Sequence, residues 1–167
     1  MIKYIHKPLP FPVLAVIHRL KNVKSLISDV FAETAPLIVQ EAEARQKLVA
    51  NRIYINPADQ HMVLQPDMRL HFEKTRPVNF SRPSIDVTMK SVAHQLGEKA
   101  LGIILTGANV DGADGLREIH TRGGICIIQE ENEAMYSQMP AAARAFVPQA
   151  KTLKIREIAE VLQSFTK

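Results

Sequence analysis

Residues 100–119 read ALGIILTGANVDGADGLREI, and this stretch decides the fold that we predict for the chain. Its apolar run, Leu101–Leu105, is typical of a strand buried on both faces of a parallel sheet. A polar, glycine-rich turn follows, and Leu116 and Ile119 then have the spacing of a helix. Strand, turn and helix make half of a βαβ unit. Catalytic groups in such folds collect at the carboxyl ends of the strands, which makes Asp111 a candidate functional residue.

The turn by itself allows more than one interpretation. Asp111 or Asp114 can cap the helix that follows, with the glycines serving only the backbone geometry. A phosphate-binding loop is less favoured, because the stretch contains neither G-x-x-x-x-G-K-[ST] nor G-x-G-x-x-G. A catalytic interpretation of Asp111 therefore needs a partner residue at the same edge of the sheet.

The composition is that of a globular protein with one domain. The 167 residues are 46% hydrophobic and 23% charged, which suits one sizeable core and is short for two domains. The net charge of +4 comes from scattered lysines and arginines, so the chain is not expected to bind nucleic acid. There is no run of about 18 apolar residues and no signal-peptide pattern. We therefore expect a cytoplasmic protein without membrane insertion.

Metal and cofactor sites are not indicated. The single cysteine, Cys126, lies in an apolar segment and is predicted to be a small buried residue. One cysteine excludes an internal disulfide, and no pair of histidines has convincing metal-ligand spacing. We expect no metal and no cofactor.

The rest of the chain alternates between strand-like and helix-like patterns. We predict strands over Phe11–Ile17, Leu37–Val39, Arg52–Ile55, Leu101–Leu105 and Ile125–Ile128, and a hairpin of Met62–Gln65 with Arg69–Phe72. We predict helices over Asn22–Phe31, Ile85–Leu96, Gly112–Thr121, Ala141–Phe146 and Ile155–Phe165. Ser84 is the predicted N-cap of the second helix, with Ser81 as the competing candidate, and Pro140 is predicted at the first position of the fourth helix. This order favours a three-layer α/β domain, with a doubly wound, mainly parallel sheet and a β-hairpin insertion.

His18 is the candidate partner of Asp111. It directly follows the predicted strand Phe11–Ile17, and Asp111 lies six residues after the end of Leu101–Leu105. If the two strands share one sheet, both side chains can meet at one edge of it. A histidine held by a buried aspartate keeps the tautomer that a general base needs. His18 alone is more often a satisfied core or loop histidine, so the hypothesis depends on the pair.

Five segments of the chain, in order, resemble the catalytic domain of the chemotaxis protein-glutamate methylesterases, the CheB family. They are PFPVLAVIH at 10–18, RIYINPADQHMVL at 52–64, RPSIDVTMKSVA at 82–93, LTGANVDGADG at 105–115 and QMPAAA at 138–143. The similarity runs from about residue 8 to the C-terminus. No single segment is decisive, but five in the right order are specific.

The resemblance implies hydrolysis of γ-glutamyl methyl esters, and deamidation of glutamines, on the cytoplasmic helices of methylated chemoreceptors. The family uses a Ser-His-Asp triad, in which His18 matches the general base and Asp111 the acid that orients it. Gly107, Ala108 and Asn109 match the active-site loop, where the family usually has Met-Gly at the last two positions and the Met amide helps to bind the oxyanion. A backbone N–H survives the change to Ala108.

The resemblance also implies that one part of the triad is missing. The family's nucleophile lies in a G-A-S-[TA]-G-G turn, and the chain contains neither that turn nor a G-x-S-x-G elbow. We therefore interpret residues 1–167 as a single, N-terminally truncated methylesterase catalytic domain without a receiver domain, inactive as written. Ser84 and Ser137 can approach the same edge, but capping or loop hydrogen bonding is favoured for each.

Two other expectations follow from the missing segment. The sheet edge that it leaves exposed favours self-association, strand exchange, or a rearranged N-terminus in which Ile2–Ile5 covers part of the gap. A non-catalytic homologue that binds receptors or partners is the alternative function. A third and weaker alternative is an unrelated α/β small-molecule binding module that uses the loop at 106–115.

Overall fold

The computed structural model describes residues 1–19 and 37–165 and has an α/β architecture. Its strands are β1 (Val13–Ala15), β2 (Ile38–Glu41), β3 (Arg52–Ile55), β4 (His61–Leu64), β5 (Leu70–Glu73), β6 (Leu101–Ile104), β7 (Ile125–Gln129) and β8 (Lys151–Leu153). Its helices are α1 (Ile85–Leu96), α2 (Ala113–Thr121), α3 (Gln138–Phe146) and α4 (Ile155–Ser164). Short 3-10 turns lie at Ile2–Tyr4 and Gly97–Lys99.

The parallel strands of the described chain form two groups of three. Their orders are β1-β3-β2 and β6-β7-β8, and the hairpin β4-β5 is antiparallel. The register places Val13 opposite Ile53 in the first group and Leu101 opposite Ile125 in the second. The predicted α/β class, with mainly parallel strands and an inserted hairpin, is confirmed.

The core between α1, α2 and the second group brings the site-bearing segments together. Leu116, Ile119 and Ile128 are almost completely buried there. Gly115 lets α2 approach α1 closely, because a Cβ at this position would lie 2.7 Å from the Cβ of Met89. This close approach fixes the loop after β6 against the first turn of α1.

The N-terminal residues pack into a second core cluster. Ile5 and Leu9 are buried at 1% and 2% exposure, alongside residues of β2, β3 and α4. The backbone N–H of His6 donates to Gln163 Oε1 at 2.7 Å, and Gln163 Nε2 donates to Tyr4 O at 3.1 Å. The start of the described chain is therefore tied to its last helix. Within the described ranges, no helix is long and apolar enough to cross a membrane.

Several predicted bounds differ from the structure. The strand predicted over Phe11–Ile17 is only Val13–Ala15, and its three residues pair with Ile53, Tyr54 and Ile55 of β3. α3 begins at Gln138, so Pro140 is its third residue; the missing N–H is tolerated there because the first N–H groups of a helix have no partner within it. Sequence patterning missed β8, whose residues are largely exposed at an edge. The predicted helix Asn22–Phe31 lies outside the described residues.

Candidate active site

His18 and Asp111 lie within hydrogen-bonding distance of each other. The Nε2 atom of His18 is 2.8 Å from Oδ2 of Asp111. The Asp111 side chain is fully buried, whereas 30% of the His18 side chain is exposed. The two residues follow strands of different groups, β1 and β6, so the carboxyl ends of both groups converge here. The predicted proximity of the two side chains is thus present.

Asp111 binds the N-terminus of α1. Its Oδ1 accepts from the Ser84 hydroxyl at 2.7 Å and from the Asp86 N–H at 3.1 Å, and its Oδ2 accepts from the Ile85 N–H at 2.6 Å. Burial alone would raise the pKa of Asp111. The hydrogen bonds from His18, Ser84 and the helix backbone outweigh burial, and they hold the pKa below its ordinary value of 3.8. The carboxylate is therefore ionised at neutral pH.

The hydrogen bonds of His18 define its tautomer. The side-chain amide of Asn109 places Nδ2 3.3 Å from His18 Nδ1 and 3.2 Å from Ser81 Oγ. An amide nitrogen can only donate, so Nδ1 is the acceptor and Nε2 carries the proton that is donated to Asp111. The lone pair of Nδ1 faces the side of the imidazole away from Asp111. This is the arrangement that a general base requires.

The loop that carries Gly107, Ala108 and Asn109 is anchored on both sides. The Gly107 N–H donates to the carbonyl of Tyr136, and the Gly107 carbonyl accepts from the Met139 N–H, each at 3.0 Å. Gly107 therefore has no free donor for a substrate. Within the described chain, the backbone N–H groups of Ala108 and Asn109 have no hydrogen-bond partner. These two N–H groups remain available to an oxyanion.

A second buried carboxylate, Asp86, was missed by sequence reasoning. Its Oδ1 accepts from the N–H groups of Gly112 at 3.0 Å and Gly115 at 2.7 Å, and its Oδ2 accepts from Asn79 Nδ2 at 2.7 Å. Burial raises the pKa of Asp86, and the nearby negative charge of Asp111 raises it further, although the hydrogen bond from Gly115 opposes this. An aspartate in the first turn of a predicted helix was the available signal, but its contacts lie across the fold.

The structure gives the candidate serines other roles. Ser84 is buried; its hydroxyl donates to Asp111 and accepts from the Val87 N–H at 3.4 Å, so it is the predicted N-cap of α1. Ser137 precedes α3 and makes no side-chain capping bond. In residues 1–19 and 37–165, the hydrogen-bond partners of His18 are Asp111 and Asn109.

The other histidine of interest, His61, supports the start of α1. It is completely buried, its Nδ1 accepts from the Ser84 N–H at 3.1 Å, and its Nε2 lies 3.1 Å from the carbonyl of Arg76. Its position in the hairpin strand β4 gave no indication of this contact. Among the described residues, no group of three or more His, Cys, Asp or Glu side chains is placed to hold a metal ion.

A cavity of about 240 Å³ opens beside His18. Its lining comprises His18, Arg19, Phe80, Ser81, Arg82 and Pro83. The cavity wall is rigid on one side, because Arg82 donates from Nη2 and Nε to Asp59 at 2.6 and 2.9 Å. A larger cavity of about 690 Å³ lies at the hairpin next to Arg45 and His71. Among the described residues that line that larger cavity, no histidine is paired with a carboxylate. The smaller cavity, which contains His18, is therefore the candidate substrate site.

Comparison with known families gives one match across nearly the whole chain. The model of the CheB methylesterase family matches residues 1–162. A predicted protein-glutamate methylesterase/protein-glutamine glutaminase of Leptospira interrogans is 35% identical over 123 residues, covering 74% of this chain and 64% of that protein. A protein-glutamate methylesterase/protein-glutamine glutaminase of Archaeoglobus fulgidus is 31% identical over 160 residues, covering 94% of this chain and 46% of that protein.

A solved structure matches the fold. The crystal structure of the Thermotoga maritima CheB methylesterase catalytic domain has a TM-score of 0.92 with this chain at 25% sequence identity. The superposition covers 99% of this chain and 89% of that one. By contrast, this chain spans 64% and 46% of the lengths of the two relatives above.

Proposed function

This chain belongs to the CheB methylesterase family, and we propose that it carries the base half of the catalytic triad of a protein-glutamate methylesterase. The substrates are γ-glutamyl methyl esters, and glutamines that are deamidated, on the cytoplasmic helices of methylated chemoreceptors. The observation that supports this most directly is the 2.8 Å hydrogen bond between His18 and the buried, ionised Asp111. The proposed place of action is the cytoplasm.

The proposed mechanism assigns one role to each group. His18 Nδ1 takes the proton from a serine hydroxyl as its oxygen attacks the γ-carbonyl carbon, and Asp111 stabilises the imidazolium through Nε2. The N–H groups of Ala108 and Asn109 donate to the oxyanion. The imidazolium then returns the proton to the leaving methoxide, which departs as methanol. Water hydrolyses the acyl-enzyme by the same base, leaving a glutamate.

We propose that the nucleophile of this mechanism is supplied by a segment outside these 167 residues. The sequence has no G-x-S-x-G elbow, and within the described ranges the hydroxyl of Ser84 donates to Asp111 while that of Ser81 accepts from Asn109. We therefore assign the serine to a family-type strand and turn that completes the site. The unpaired sides of β1 and β6 in the described chain offer the backbone groups such a strand needs.

A non-catalytic, receptor-binding homologue is the second candidate function. The observation that favours it is the Asn109 amide on His18 Nδ1, since that nitrogen must be free to accept the proton of a nucleophile. In this alternative, the His18–Asp111 pair has no catalytic role and the surface around it binds the partner.

The test is methanol release from methylated receptor by two proteins. The chain as written is expected to stay near background. A fusion with a family-type strand–G-A-S-T-G-G–helix segment ahead of residue 8 is expected to be active and more stable. Its rate is expected to fall on single replacement of the added serine, His18 or Asp111, and these losses are not additive because triad members act as a unit. His120→Ala, an exposed histidine of α2, is the matched control and leaves the rate unchanged.

Two outcomes contradict the proposal. A fusion that folds and binds receptor but releases no methanol, with His18 and Asp111 intact, supports the non-catalytic alternative. An active fusion whose rate is unaffected by His18→Ala shows that another residue is the base.

A further inference from the structure

Phe80 stands completely exposed at the rim of the cavity that contains His18. Its relative exposure is 105%, the highest among the exposed large hydrophobic residues of the described chain. Phe80 and His18 line the same cavity of about 240 Å³. Isolated exposed hydrophobic residues are common on protein surfaces, so exposure alone does not indicate a function. The backbone conformation of Phe80 is the more informative feature.

Phe80 occupies a turn position that strongly favours glycine. Val78 and Ser81 exchange backbone hydrogen bonds, from Ser81 N–H at 2.8 Å and from Val78 N–H at 3.1 Å. Between them, Asn79 and Phe80 have φ values of 49° and 61°. Two central residues with positive φ define a type I′ turn, for which Asn-Gly is the preferred pair. Asn79 fits this preference, whereas a phenylalanine in the second position is strained.

The turn is fixed in place from several sides. Asn79 Nδ2 donates to Asp86 Oδ2 at 2.7 Å, Ser81 Oγ accepts from Asn109, and the neighbouring Arg82 is held by Asp59. The Phe80 ring makes no aromatic or cation–π contact within the described residues. The fold thus holds the backbone of Phe80 in a strained conformation while its ring lies in water, and the ring adds no packing to the folded state. Strain of this kind concentrates at functional sites.

We propose that Phe80 is a substrate-binding residue, which packs against apolar side chains next to the glutamyl methyl ester on a helical substrate. This inference rests on the proposed function. The ester must reach His18 through the cavity that Phe80 borders. On a helix, residues three and four positions from the ester lie on the same face, where an exposed ring at the cavity rim meets them. An aromatic side chain that becomes buried on binding is typical of residues that dominate the affinity of an interface.

The test uses Phe80→Gly in the chain as it exists. The variant removes the strain and no packing, so its melting temperature is expected to rise, by about 2 °C. Its binding is expected to weaken. The probe is a helical peptide with one glutamyl methyl ester and leucines at positions ±3 and ±4, compared with the same peptide carrying serines there. The wild-type chain is expected to prefer the leucine peptide, and Phe80→Gly to lose about tenfold in affinity for it.

Two further variants separate binding from backbone relief. Phe80→Leu keeps an apolar side chain and is expected to retain part of the preference. Arg45→Gly is the matched control, because Arg45 is also exposed and has a φ of 62°, but lies at the hairpin cavity. This control is expected to leave the affinity for both peptides unchanged.

Three results overturn the inference: equal affinity of wild type for the two peptides, unchanged affinity in Phe80→Gly, or a wild-type dimer that Phe80→Gly dissociates. The last result assigns the ring to a contact with a second copy. Peptide affinity is measured without turnover, so the two failures are distinguishable: an inactive fusion in the methanol assay contradicts the proposed function, whereas the absence of a leucine preference contradicts the role of Phe80.

Discussion

The N-terminus of each of the helices α1 and α2 is capped by an aspartate that lies at the start of the other helix. Asp111 comes just before α2 but binds the first turn of α1, whereas Asp86 lies in the first turn of α1 and binds the N-terminus of α2. Both carboxylates are buried, yet the pKa of Asp111 is lowered and that of Asp86 is raised. The two helix N-termini are therefore capped in a similar geometry, but the pKa values of their capping carboxylates are shifted in opposite directions.

The difference between the two carboxylates bears on the catalytic role that we propose for Asp111. Asp111 receives hydrogen bonds from His18 and the Ser84 hydroxyl besides the helix backbone, and these outweigh the effect of burial. In the part of the chain that the structure describes, no histidine hydrogen-bonds to the Asp86 carboxylate, which lies near the negative charge of Asp111. We infer that Asp111 holds the base, while Asp86 holds the loop that carries Asp111.

The largest expected effect is on the rate of the active fusion. Asp111→Asn is expected to lower it by about 10⁴-fold, the loss seen when the orienting acid of a triad is replaced. Asp86→Asn acts only through the position of the loop and is expected to cost no more than about 10²-fold. Methanol-release rates of the two variants measure this, and equal losses would remove the distinction between the two carboxylates.

Stability is expected to separate the same two variants. Asparagine at 111 turns one acceptor oxygen into a donor that faces buried donors, so we expect a loss of about 3–5 kcal/mol in the free energy of unfolding. At position 86, rotation of the Asn79 amide can restore the hydrogen bond, and a loss of about 1 kcal/mol is expected. Urea denaturation at pH 7 is the measurement. A smaller loss for Asp111→Asn than for Asp86→Asn would contradict the account.

Gly115 tests whether the exchange of caps needs close helix packing. A Cβ there would lie 3.0 Å from the Cα of Asp86 and 2.7 Å from the Cβ of Met89. Gly115→Ala is expected to push α2 from α1 and to cost about 1–3 kcal/mol of unfolding free energy. Gly123→Ala is a contrasting variant: a Cβ there has more room, at 3.6 Å from Glu98 Cβ, but its φ of 81° is strained for alanine. An unchanged free energy of unfolding in Gly115→Ala would show that the two caps do not depend on this close approach of α1 and α2.

The smallest expected effect is on the pH dependence of stability, which is predicted to have opposite signs for the two carboxylates. The pKa of Asp111 is lowered on folding, so its contribution is complete above the ordinary value of 3.8 and is lost as the pH falls through the folded value. The pKa of Asp86 is raised, so its contribution is present at acid pH and is lost as the pH rises through the folded value. From about pH 3 to 6, the destabilisation caused by Asp111→Asn is expected to grow and that caused by Asp86→Asn to shrink. Parallel denaturation curves for the two variants would refute this assignment.

Local signals in the sequence located most of the elements. Helix α1 begins and ends as predicted, because Ser84 supplies the cap and Gly97, with a φ of 53°, ends it. The strand Arg52–Ile55 also matches to the residue, since its apolar run is bounded by turn residues. The pairing of His18 with Asp111 followed from the rule that functional residues gather at the carboxyl ends of strands.

The remaining features depend on contacts between distant segments. The hydrogen bonds of the two capping aspartates join residues 25 to 29 positions apart. Local capping rules allowed Asp111 to cap the helix that follows it, whereas its carboxylate binds the first turn of α1. The Asn109 contact with His18 spans 91 positions. Phe80 went unnoticed because the positive φ that makes it informative is visible only in the folded backbone.

The central claim is that Asp111 orients His18 through the Nε2–H, so that Nδ1, which accepts from the Asn109 amide, carries no proton. Nitrogen-15 NMR of the histidine side chains at neutral pH tests it in the chain as it exists. We predict that His18 is protonated at Nε2 and unprotonated at Nδ1. The Nε2–H is expected to exchange slowly with water because it is hydrogen-bonded to a buried carboxylate. A proton on Nδ1, or an Nε2–H that exchanges as fast as that of the exposed His120, would contradict it.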